Sequence, residues 1–154
     1  MMRAWRKIGR RAAAAHRGTA AIEFALAIPI LLVLAAGTAE IGFAVYEAMQ
    51  VYDSVEAGVL YAAKNGFDAT GISAAVVNAT GMSGITATPA PTQFCGCPSA
   101  GGVVTATCGA TCGSGGVAGT YVRISAAYTH ETILNYPSFG LPTTLTAQSV
   151  VRLN

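Results

Sequence analysis

"RGTAAIEFALAIPILLVLAAGTAE", residues 17–40, is the stretch on which the fold turns. Residues 24–39 carry no charge, and counting from Thr19 the run is 21 residues long, roughly 31 Å of helix at about 1.5 Å per residue. That length just spans a hydrocarbon core of about 30 Å. Pro29 lacks a backbone donor and crowds the preceding turn, so a kink or local loosening is expected there, which membrane helices tolerate. The segment 19–40 therefore reads as transmembrane. A single carboxylate, Glu23, stands at its mouth, five residues past Gly18. At full depth an acid costs about 2.5–3.5 kcal/mol on insertion scales, so Glu23 calls for a partner. Taken alone, it reads as an interfacial acid of an ordinary single-span protein. Glu40 marks the exit of the span.

On the N-terminal side, six of the nine basic residues (Arg3, Arg6, Lys7, Arg10, Arg11 and Arg17) precede the run with no acid among them. From Thr19 onward three bases oppose seven acids, a net charge of −4. The basic character thus belongs to a leader, 1–18, and not to a nucleic-acid-binding surface. Bases before the span and acids after it place the leader in the cytoplasm and the remainder, 41–154, outside. The 154 residues suffice for one compact domain plus the membrane segment, and 53% hydrophobic against 10% charged residues argues against a disordered acidic chain or a typical cytosolic enzyme.

The helix need not end at Glu40. Ile41, Val45, Ala48, Tyr52, Val55, Val59 and Ala62 recur at spacings of four and three, a seam along one helix face, with Glu47, Gln50, Ser54, Tyr61 and Lys64 on the other side. Asn65 and Gly66 suit a left-handed cap. The tyrosines Tyr46, Tyr52 and Tyr61 are expected to pack against a sheet. A second short helix is expected over 69–79. After Gly81 period-two patterns take over, in Val122, Ile124, Ala126 and Tyr128 and again in Leu145, Ala147, Val151 and Leu153, which predicts strands with one buried face. "ITATPAP" and "VVTAT" are weaker strands, the former limited to an edge by Pro89 and Pro91. In "HETILNYPSFGLP", a long loop, Tyr136, Phe139 and Leu141 are available to cover the core. The expected fold is α+β: a long N-terminal transmembrane helix continuing into a periplasmic helix packed on a small antiparallel sheet.

Cys95, Cys97, Cys108 and Cys112 are the chain's four cysteines, in and immediately before a Gly-rich stretch, 96–119, read as a loop that needs cross-links for order. Outside the cytoplasm they read as disulfides. A Cys95–Cys97 bridge would close a very tight ring, which leaves the two arrangements linking Cys95 and Cys97 to Cys108 and Cys112. Four thiolates on one zinc is the competing reading, but the spacing departs from paired CxxC and the location favours oxidation. "GSGGVAG" lacks the helix and the Lys-Ser/Thr ending of a phosphate loop, and His130-Glu131 lacks the second histidine of a metalloprotease helix. No catalytic site, metal, cofactor or small-molecule substrate is expected.

Gly18, then Thr19-Ala20-Ala21-Ile22, then Glu23-Phe24 and an apolar run resembles a prepilin processing site. The wider "RGTAAIEFALAIPILLVLAAGTAEIGFAVYEAM", with the C-terminal "LTAQSVVRLN", resembles the TadE-like pseudopilins of tight-adherence (Tad, type IVc pilus) systems. The resemblance implies cleavage after Gly18 by a prepilin peptidase, a new N-terminus at Thr19, and Glu23 as an assembly acid followed by Phe24. It also implies sister pseudopilins and the Tad inner-membrane assembly platform as partners, and a role as a minor pilin supporting adhesion and biofilm formation. The alternatives are an uncleaved single-span envelope protein with a periplasmic binding head, or a secreted disulfide-containing protein cut after Ala35-Ala36-Gly37.

Overall fold

The computed structural model describes residues 2–132 and 142–153, with side chains described from Gly18 onward. Tyr136, Phe139 and Leu141 lie outside the described residues. Helix α1 (Met2–Asn65) continues through Pro29 without a break in its assignment. The chain divides into two compact units, 1–42 and 43–154, to both of which α1 contributes. From Gly18 on, α1 is long and apolar enough to cross a membrane, and none of its most apolar window is buried within the chain.

In the second unit, α1 stops where Gly66 turns to a φ of 80° and its amide closes on the Ala62 carbonyl at 2.9 Å. Only glycine takes that conformation without strain. Helix α2 (Ala69–Val77) follows, capped by Asp68, whose side chain accepts from the Thr70 amide. Four strands then make one antiparallel sheet: β1 (Thr92–Ser99), β2 (Gly102–Thr105), β3 (Gly119–Thr129) and β4 (Thr144–Arg152), in the order β2-β1-β3-β4. The fold is α+β, as expected.

The alternation read in the last two strands is what builds the core. Val122, Ile124 and Ala126 of β3 and Ala147 of β4 share one sheet face and pack with Val51, Val55 and Ala62 of α1 and Ile72 and Val76 of α2. On the opposite face the Phe94 and Tyr121 rings stack 5.9 Å apart, and the Arg123 guanidinium lies 4.9 Å from the Phe94 centroid.

Two expectations are corrected. The buried face of α1 is rotated from the seam read in sequence: Ala44, Val51, Ser54, Val55 and Ala62 are buried, whereas Ile41, Val45 and Tyr52 are about half exposed or more. Small side chains decide this. A Cβ on Gly58 would stand 2.7 Å from Cγ2 of Val76 and 3.0 Å from Cγ2 of Ile124, so the sheet and α2 approach α1 where the helix is thinnest. Ser54 tolerates full burial because its hydroxyl donates to the Gln50 carbonyl at 2.8 Å. Tyr46 and Tyr52 accordingly point away from the core, and of the three tyrosines only Tyr61 packs on it.

The second correction concerns the cysteine segment, which is not all loop. Cys95 and Cys97 sit on β1, whose residues 92–96 pair with 119–123 of β3. "ITATPAP" contributes a single bridge, Thr86 to Ala127, and "VVTAT" enters β2 only as far as Thr105.

Candidate functional site

The first unit holds the residues that the prepilin pattern singles out. Thr19 and Glu23 are four apart on one helix and therefore neighbours on its surface, one turn from each other. At Gly18, inside the helix, a Cβ would meet nothing within 4 Å, so the space beside it is open. Phe24, Leu26, Ile30, Leu31, Leu32, Val33 and Leu34 are all exposed. These positions cover every side of the helix, and a helix apolar all round requires lipid or other helices against it. Glu40 differs from Glu23 in being buried.

In the second unit α1 has two faces of unlike character. The inner one meets the sheet through small residues. The outer one carries Phe43, Val45, Tyr46, Met49, Tyr52 and Leu60, all exposed. Exposed apolar side chains in such number along one helix mark a surface for association.

At the end of β3 the structure joins groups that sequence reading left apart. His130 Nδ1 lies 2.5 Å from Glu47 Oε2, an ion pair or charge-assisted hydrogen bond between residues 83 apart in sequence. The His130 side chain is 2% exposed and Glu47 18%. Burial first, then the Glu47 carboxylate, then Glu131, push the nearby Tyr128 phenol above its ordinary value of 10.0. The sequence pattern puts Glu47 on the side of α1 opposite the apolar seam and His130 beside Glu131. Glu47 and His130 have no sequence signal, because their proximity is created by the docking of α1 on the sheet.

The cysteines form two disulfides, Cys95 to Cys108 and Cys97 to Cys112, with Cα atoms 5.1 and 5.6 Å apart. Alternate positions on β1 put both bridges on one side of the strand, and together they pin the segment 106–118 to it. Among the described residues no three His, Cys, Asp or Glu side chains are grouped to hold a metal.

No curated protein and no solved structure matches the chain. The family model described as TadE-like protein matches residues 18–63, from the open glycine to within two residues of the end of α1. Over that helical segment, which supplies both the all-apolar stretch and the two-faced stretch, the chain is similar to TadE-like proteins.

Proposed function

We propose that the chain is a minor pilin, or pseudopilin, that takes part in assembling a Tad (type IVc) pilus and so supports adhesion and biofilm formation. The observation that carries this reading is the TadE-like match over 18–63, coincident with a helix whose apolar side chains from Phe24 to Leu34 find little cover among the described residues. In this reading α1 is held in the bacterial inner membrane from Thr19 to Glu40, the basic leader is cytoplasmic, and the head, 41–154, is periplasmic, where its cysteines are oxidised.

A prepilin peptidase cuts between Gly18 and Thr19, and the open space beside Gly18 is compatible with such access. The cut creates an α-amine at Thr19. Glu23 of one subunit attracts the new amine of a neighbour, which neutralises both charges in a medium where either alone is costly. The pairing sets the axial register, and the apolar stretch beginning at Phe24 packs against sister pseudopilins. The assembly platform is the other partner, and the role is structural, with no cofactor or small-molecule substrate.

The experiment is to identify by mass spectrometry the N-terminal residue of the protein from envelope membranes, with and without the peptidase. A start at Thr19 that depends on the peptidase is expected. An intact leader would make the protein an uncleaved single-span envelope protein, and a start near Thr38 a secreted one. Glu23→Ala should leave cleavage intact and reduce pilus assembly. Normal assembly by that variant would overturn the pairing.

A further inference from the structure

Strand β4 is the last strand of the sheet, and its outer side is built to receive another strand. The amide of His130 donates to Thr143 and that of Leu153 to Thr120, both at 2.9 Å, which fixes the alternation. Odd-numbered residues of β4 direct their backbone groups toward β3. Thr144, Thr146, Gln148, Val150 and Arg152 direct theirs away, and among the described residues no segment pairs with that side. Exposed edges are normally blocked by lysine, proline, a bulge or an inward charge. From Thr144 to Val151 this one is uncharged, free of proline and regular in register.

Beside the edge runs a groove whose other wall is α1. One hollow of about 290 Å³ lies between Ala48, Val51 and Tyr52 of the helix and Leu145 of the strand. The next, of about 400 Å³, lies between Tyr52, Val55, Glu56 and Val59 and the strand residues Gln148 and Ser149. They meet at Tyr52, which is 63% exposed. A strand added antiparallel to β4 would turn the side chains opposite Leu145, Ala147 and Ser149 into this groove. The first two would meet Ala48, Val51 and Tyr52, and the third would meet the Glu56 carboxylate.

We infer that β4 and α1 together form a docking groove for an extended segment of another protein, one reading basic-x-apolar-x-apolar from N to C. Main-chain bonds to the five outward residues provide the attachment, and the groove selects the side chains. A second copy of this chain does not fit. Paired edge to edge, its β4 can offer to Glu56 only Leu145, Ala147, Ser149, Val151 or Leu153, and its other edge strand, β2, is Gly-Val-Val-Thr; neither supplies a base. The inference stands apart from the pilus reading, since it uses only the head.

The test uses the full chain in detergent and two synthetic peptides, Thr-Lys-Thr-Val-Thr-Val-Thr and the same peptide with Glu in place of Lys. The lysine peptide should slow amide exchange at 144, 146, 148, 150 and 152 and bind on the order of tenfold tighter than the glutamate peptide. Glu56→Lys should reverse that preference. Thr146→Pro removes one outward donor while sparing the main-chain bonds to β3, and should abolish binding with the exchange of β3 amides unchanged. Equal binding of both peptides, an unprotected edge at saturation, or an edge already protected by self-association would each overturn the inference.

Discussion

Gly58→Ala tests the close approach that orients α1 on the sheet. The new Cβ would lie 2.7 Å from Val76 Cγ2, 3.0 Å from Ile124 Cγ2 and 3.5 Å from Ile72 Cγ2. Carbon atoms rest about 3.5–4.0 Å apart, so the two nearest methyls must retreat by about 0.5–1.3 Å. Val76, Ile124 and Ile72 are fully buried, which leaves them little room to do so. Overpacking of this kind costs about 1–3 kcal/mol, and alanine returns about 1 kcal/mol through its helix propensity. The net expectation is a loss of about 0–2 kcal/mol, and Gly58→Val, with two more methyls and a stiffer χ1, should lose about 3 kcal/mol. Amide exchange at Val122, Ile124 and Ala126, followed on the full chain in detergent, reads this as acceleration of up to about thirtyfold for alanine and more than about a hundredfold for valine. Val76→Ala removes the nearest methyl, so combining it with Gly58→Ala should give a coupling of about 0.5–3 kcal/mol in favour of the double variant. If Gly58→Ala instead slowed exchange, as at an exposed helix glycine, the packing account of the rotated face would be wrong.

Three further outcomes are expected. Removing the Cys95–Cys108 bridge, by Ser at both positions, should cost about 3 kcal/mol by loop closure and open the segment 106–118 to limited proteolysis; an unchanged cleavage pattern would refute its role as a staple. Tyr128 has a folded pKa above its ordinary 10.0, so the stability it contributes is intact below that pH and is lost as pH rises through the folded value. Phenolate absorbance of the folded chain should therefore show one tyrosine ionising late, and Glu47→Gln should bring it only partly back, because burial is the larger cause. Glu47→Ala leaves His130 buried without its carboxylate and should cost about 1–3 kcal/mol in denaturant unfolding; a neutral result would show that the pair contributes nothing to holding β3 on the helix.

Much of this architecture is legible in the sequence because it is written in periodicity. The charge-free run after Glu23, the alternation in β3 and β4, and the Asn65-Gly66 stop are local signals, and each element forms where its signal stands. What is not legible depends on size and distance. A seam chosen by hydrophobicity selects Tyr52 and Val45, whereas the sheet selects Gly58 and Ala62, which are small enough to let it in. Strand β1 escapes notice because Cys95, Gly96, Cys97 and Pro98 carry no strand propensity; its pairing with β3 and the two disulfides hold it extended. The contact of His130 with Glu47 spans 83 residues and follows only from the docked fold. The spacing of Gly18 and Glu23 that resembles a prepilin processing site lies wholly in the sequence, and the helix adds nothing to it.

The thin inner face of α1 also divides the helix into regions under separate evolutionary constraint. A larger side chain at Gly58 or Ala62 must be answered by a smaller one on the sheet or on α2. Phe43, Tyr46, Met49 and Leu60 touch none of the core and answer only to whatever lies outside. A lineage can therefore exchange its binding partners by altering the outer residues alone, while the head that rides on the same helix keeps its shape.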